Sequence, residues 1–175
     1  MQPVAGAPPD PADVAAVAAQ LGREPRGLRA VAHRCPCGLP DVVETEPRLP
    51  DGTPFPTFFY LTCPRLTSAV STLEAEGLMR SMQERLATDA GLAARYRAAH
   101  ADLLRRREAV LPVAELAGVS AGGMPDRVKC LHVLVAHSLA AGPGVNPFGD
   151  EVVGELEDRG VRRDRPCVVV DEGTS

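Results

Sequence analysis

The chain has 175 residues, 19 Lys and Arg against 23 Asp and Glu, a formal charge of −4, and 45% hydrophobic but only 3% aromatic residues. That length suits one domain whose core comes from Leu, Val and Ala without disulfide support. The acidic balance argues against a nucleic-acid surface built on bulk charge. No stretch approaches the roughly 20 apolar residues of a membrane span, and the start lacks the basic-then-apolar pattern of a secretory leader, so a cytoplasmic protein is expected.

Residues 1–9, rich in Pro, Gly and Ala, are expected to form a disordered tail. Asp10 then caps a helix with Pro11 in its first turn, and Gly22 ends it. Leu28 to Cys35 reads as a strand with Val31, His33 and Cys35 on one face. Asp41 to Glu46 is a second short strand. A Pro/Gly/Asp loop runs from Pro47 to Pro56. Thr57 to Cys63, β-branched and aromatic, is the clearest strand.

From Pro64 the spacing becomes helical, with a break near Gly77. A further helix runs from about Leu92 to Arg107 on the stripe Leu92, Tyr96, Ala99 and Leu103. Arg105-Arg106-Arg107 reads as a solvated helix end. Another helix is expected from near Met124-Pro125-Asp126 to Ala141. Between Cys130 and Ala141 its only ionisable side chains besides the cysteine are His132 and His137, so it is expected to be central and buried. Asn146 to Asp150 reads as a compact turn, and 151–175 as a charged tail or edge segment. The resulting fold is α+β: a small antiparallel sheet from about 28–63 against three or four helices, in one domain over 10–150.

Five cysteines in a reducing compartment point to metal or catalysis rather than disulfides. Cys35, Cys63 and Cys130 share a pattern: each has a cation within two positions, and His33 and His132 flank two of them. Two end predicted strands and one lies in the predicted central helix. They are the candidate ligands of a zinc ion or an iron–sulfur cluster. Arg34, Arg65 and Lys129 are candidate contacts for a small anionic ligand. Cys37 sits too close to Cys35 for both to hold one tetrahedral ion. On a continuous helix, Cys130 and His132 would point roughly 200° apart, and His137 would lie about 10 Å further along the axis. Two alternatives stand beside the metal reading. One is a metal-free interaction or regulatory protein with core cysteines. The other is a Cys-His transferase or hydrolase. Nucleotide loops and helical zinc-protease motifs are absent.

The segments Arg34-Cys35-Pro36, Gly38-Leu39-Pro40, Asp51 to Thr57, Leu61-Thr62-Cys63-Pro64, Val128 to His132, Ala136-His137 and Asn146 to Gly149 resemble a bacterial family catalogued as a domain of unknown function. Its members are typically encoded near enolase, a septum-formation initiator protein and an exopolyphosphatase. The resemblance covers about residues 23–150 and implies a compact cytoplasmic protein, with no activity attached. It carries over Cys35, Cys63, Cys130, His132 and His137 as candidate metal ligands. Val133-Leu134-Val135 lacks a further histidine common in the family, which leaves the three cysteines as the stronger set.

Overall fold

The computed structural model describes residues 6–161 and 163–170. Helix α1 (Pro11–Leu21) precedes strands β1 (Leu28–Arg34), β2 (Pro40–Thr45) and β3 (Phe59–Leu61). Helices α2 (Pro64–Ala75), α3 (Leu78–Thr88), α4 (Ala90–Val110), α5 (Leu131–Ala141) and α6 (Pro147–Asp158) follow, with a 3-10 turn at Ala114–Leu116. The strands form one antiparallel sheet in the order β1-β2-β3, so the fold is α+β as expected. No helix among the described residues is long and apolar enough to cross a membrane.

The predicted cap of α1 is present in both directions. Asp10 Oδ1 accepts from Asp13 N at 2.8 Å, and Asp13 Oδ2 accepts from Asp10 N at 3.3 Å. Asp10→Ala is expected to cost about 1 kcal/mol, which lowers Tm by about 2–4 °C in a chain of this size. Thermal denaturation checks this. An unchanged Tm would mean that Asp13, also gripped by Arg34 at 2.7 and 2.8 Å, secures the helix start by itself.

β2 is buried along its whole length because it is the middle strand. Its two carboxylates are each answered by an arginine and, for Asp41, by a ring nitrogen as well, as buried charges require. Asp41 meets His33 Nδ1 at 2.7 Å and the Arg163 guanidinium, and Glu44 meets Arg29. Beyond β1, Ala7 bridges Val31 through bonds of 3.0 and 2.8 Å. On the other side, Thr62 N donates to Asp41 O and Thr45 N to Phe58 O, both at 2.9 Å. These bonds fix the phase of the β2–β3 ladder, in which Val43 faces Tyr60.

Three expectations need correction. The central helix is α5 and it is buried, but it begins at Leu131, not near Met124. Gly122 and Gly123, at φ +71° and +92°, turn the chain instead. Lys129 N bonds back to Gly122 O at 2.8 Å, and Arg127 N to Gly123 O at 2.9 Å. The Asn146 segment is not a closed turn but the start of α6. Asn146 Oδ1 accepts from Gly149 N at 2.9 Å, with Pro147 in the first turn. Helix α6 then carries Phe148, Val152 and Leu156 into the core, so the packed body continues to Asp158. Gly149 sits where α6 touches α5: a Cβ there would lie 2.2 Å from Leu134 O.

The Arg105–Arg107 run is only partly solvated. Arg107 is 1% exposed because α4 ends against the loop and the 3-10 turn, and its Nη2 donates to Leu116 O at 2.8 Å. Of the two readings of the C-terminal segment, tail or edge strand, Cys167 to Val170 take the first, with no strand formed. Of the predicted tails, residues 1–5 and 171–175 lie outside the described residues, as does Arg162.

Candidate metal centre

The loop before α5 is held from three sides. Tyr96 Oη donates to Arg127 O at 2.9 Å, Gln83 Oε1 accepts from Val128 N at 3.0 Å, and Gln83 Nε2 donates to Asp126 O at 3.2 Å. This brings Cys130 in as an extended residue, φ −154° and ψ 110°, at the N-cap of α5. A helix start leaves backbone N–H groups without partners. Here Leu131 N donates to a side chain from another helix, Glu74 Oε1 at 2.8 Å. Glu74 lies in the last turn of α2.

The same Glu74 oxygen is 3.1 Å from His132 Nδ1, and Cys130 Sγ is 3.9 Å from that nitrogen. All three donor atoms lie within 4.8 Å of one another, each on a half-buried residue. On its far side the imidazole meets the Thr67 carbonyl, 3.1 Å from Nε2, with Ser71 Oγ at 3.2 Å. A carbonyl only accepts, so Nε2 carries a proton and Nδ1 is turned toward sulfur and carboxylate. A backbone carbonyl on the outer nitrogen is the usual way a metal-binding histidine is oriented.

Electrostatics couple the three groups. Burial pushes the Cys130 thiol up, but pairing with His132 and the Val133 N–H outweigh it, so the thiol titrates below its ordinary value. The helix N-terminus acts in the same direction. His132 is raised to about 9, chiefly by Cys130 and, against burial, by Glu74 and the Thr67 carbonyl. Without a metal, each group therefore favours the charged form of the other: the thiol is drawn toward thiolate and the imidazole toward imidazolium.

The expectation that Cys130 and His132 diverge assumed that both lie within a helix. As an N-cap, Cys130 is outside the helical spiral, and its sulfur folds back over the first turn. A tetrahedral zinc site has donors about 3.4 Å apart for N/O pairs and about 3.6 Å for S/N pairs, given bonds of 2.0–2.3 Å. The observed 3.1 and 3.9 Å straddle those values.

A pocket of about 320 Å³ opens beside the centre. Its walls are β3, Thr57, Thr67 and Val133, together with Cys130 and His132 themselves.

The other predicted site residues lie elsewhere. Cys35 is buried with its thiol on Arg163 O at 3.3 Å, next to Cys37. Cys63 caps α2 and lies against Cys167, and burial pushes its thiol up to about 11. Glu74, Cys130 and His132 are the group of three such ligand types that converges among the described residues. The three cysteines do not converge. Strand order explains part of this. β1 and β3 flank β2, so the strand-end cysteines Cys35 and Cys63 are separated by two inter-strand spacings, about 9.5 Å.

His137 is fully buried and bonds Asp102 rather than the centre, Nε2 to Oδ2 at 2.9 Å. Arg34 grips Asp13, and Arg65 donates to Arg165 O and Pro166 O at 2.6 and 2.8 Å. Lys129 is exposed, and neither it nor the two arginines line the pocket. Sequence reasoning missed Glu74, Thr67 and Ser71. They recur at three- and four-residue spacing along α2, which marks one helix face but not its partner.

No curated protein and no solved structure matches the chain. A family model described as "Protein of unknown function (DUF501)" matches residues 31–154, from within β1 to within α6 and including all three converging side chains. The chain belongs to that family.

Proposed function

We propose that this protein holds a single zinc-class ion through Glu74, Cys130 Sγ and His132 Nδ1, with a fourth coordination position turned toward the neighbouring pocket. One observation carries this reading. The carboxylate and the sulfur both approach the same imidazole nitrogen. In a nucleophile–base–carboxylate chain the groups stand in series, with sulfur and carboxylate on opposite nitrogens. Here they stand in parallel around one point, and a single Nδ1 proton cannot serve both anions fully. A divalent cation at that point satisfies all three donors. One thiolate among the three also favours a single ion over an iron–sulfur cluster, whose usual ligands are several thiolates.

Three protein donors with an open position are the pattern of catalytic rather than structural zinc. Such an ion supplies Lewis acidity and an acidified bound water. The chain's own residues hold the site in register: Thr67 O fixes the imidazole, and Leu131 N holds the carboxylate.

The second reading is a metal-free Cys-His nucleophile, favoured by the lowered thiol of Cys130 at a helix N-terminus. Metal analysis of the purified protein separates the two. About one zinc per chain with no visible absorbance band is expected. Chelation should then expose Cys130 to iodoacetamide well ahead of Cys35 and Cys63, whose thiols are raised by burial, and added zinc should protect it. Failure to take up zinc, with Cys130 labelled rapidly from the outset, would favour the nucleophile.

A further inference from the structure

The pocket beside the centre is bounded by a strand edge. β3 is the last strand of the sheet. In an antiparallel ladder alternate residues turn their N–H and C=O toward the partner strand, and the residues between turn theirs away. The bonds from Thr62 N to Asp41 O and from Thr45 N to Phe58 O set that alternation. They place Phe58, Tyr60 and Thr62 in phase with β2. Phe59 and Leu61 therefore direct their backbone groups outward, along the pocket wall. Those groups have no hydrogen-bond partner among the described residues. Phe59 and Leu61 are only 2% and 5% exposed, and buried backbone groups are rarely left unpaired.

The remaining wall is neutral. Val133 is apolar, Thr57 and Thr67 offer hydroxyls, and no Lys or Arg lines the space. A phosphate or polyanion would find no countercharge there other than the centre itself. The expected small anionic ligand is thus poorly matched to this pocket. A ligand that fits has an apolar body and carries amide donors and acceptors at extended spacing.

We infer that the pocket takes a short extended peptide, or a peptide-like amide with an apolar side chain, paired to the outer edge of β3 at Phe59 and Leu61 beside the Glu74–Cys130–His132 group. This deepens the proposed function by naming its substrate class. The backbone pairing itself does not require the metal. Strand addition of this kind draws affinity from main-chain bonds and specificity from side-chain pockets.

The test is a titration of N-acetyl-leucyl-leucine amide into the full-length chain, followed through its backbone amide resonances, with zinc content measured on the same sample. The Phe59 and Leu61 amide protons are expected to shift and to gain exchange protection. N-methylation of the peptide nitrogens should weaken binding by about tenfold for each backbone hydrogen bond lost. Val133→Trp, which fills the pocket from the first turn of α5, should abolish the shifts while leaving the other amide resonances in place. Inorganic phosphate should leave Phe59 and Leu61 unmoved. The inference is overturned if saturating peptide leaves those two amides unchanged, if N-methylation has no effect, or if phosphate moves them instead. Zinc without peptide shifts removes only this inference, whereas peptide shifts without zinc remove only the metal reading.

Discussion

Replacing Asp102 with alanine is expected to destabilise the protein by about 3–5 kcal/mol, the cost of stripping one partner from a buried charged network, and to lower Tm by about 10 °C or more. Asp102 lies on α4 and is almost wholly buried. Its Oδ2 accepts from His137 Nε2 at 2.9 Å and from Arg106 Nε at 2.7 Å, and Oδ1 accepts from Arg105. His137 is fully buried on α5, stacked 5.8 Å from Phe59. Its second nitrogen lies 3.3 Å from Asn146 Nδ2, the amide whose oxygen caps α6. One carboxylate thus ties α4 to α5, and through the imidazole to the start of α6 and to the sheet. Removing it leaves a donor buried at 0% exposure with nothing to accept from it.

Acid should act on the same bond. Burial pushes the Asp102 carboxyl up, but hydrogen bonds from His137 and Arg106 outweigh it and hold the group at about 2, below its ordinary 3.8. A carboxyl depressed by folding stabilises fully above its unfolded value and loses that contribution as pH falls through the folded one. The stability Asp102 supplies, about 2 kcal/mol at 1.36 kcal/mol per unit, is therefore complete above about pH 5, declines as pH falls through 3.8, and is nearly gone once pH drops below about 2. Denaturant midpoints of the parent and of Asp102→Asn across that range check it. The gap between the two proteins should narrow as pH falls. A gap independent of pH would show that the charge is not what the network uses.

Much of the fold is legible in the sequence because its signals are local. Asp10 and Pro11 announce α1, Gly22 ends it, and Gly77 at φ +88° breaks the long apolar stripe into α2 and α3. The errors cluster where one residue type serves two geometries. Pro125 is a fair helix-start signal, but after Gly122-Gly123 it lies in a turn. Pro147 looked like part of a loop, but with Asn146 before it and Gly149 after it, it opens α6. The centre was half legible for the same reason. Cys130 and His132 stand out as a soft thiol and an imidazole two apart. Their convergence depends on where α5 begins, because residues two apart diverge inside a helix and can meet across its cap. Glu74 could not be found from the chain alone. Nothing in the α2 sequence says that its carboxylate will answer a backbone N–H at the start of α5, 57 positions later. The grouping of Cys35 with Cys63 and Cys130 failed because strand ends that share a sheet can still be separated by a middle strand. Cationic neighbours in sequence also need not face the same way: Arg34 turns to α1 while Cys35 turns to Arg163.

Loss of either strong ligand should weaken zinc binding far beyond loss of an outer partner. Cys130→Ala and His132→Ala are each expected to lower zinc affinity by more than about 100-fold, because an outer hydrogen-bond partner is itself worth about 10–100-fold. Ser71→Ala should fall at or below the low end of that range, since the Thr67 carbonyl still holds Nε2 at 3.1 Å. Glu74→Gln should lie between these limits. The amide oxygen can still accept from Leu131 N and so preserve the start of α5, but it brings no charge to the cation. Competition titrations against a chelator of known affinity measure the series, with circular dichroism to show that each variant is folded. A centre built in parallel around one ion makes all three donors matter and ranks them in this order. In a metal-free thiolate–imidazolium pair, Glu74 would tune the imidazole without setting any metal affinity. Zinc binding by Cys130→Ala as tight as the parent's would therefore remove the sulfur from the site, and with it the argument that the three donors converge for a metal.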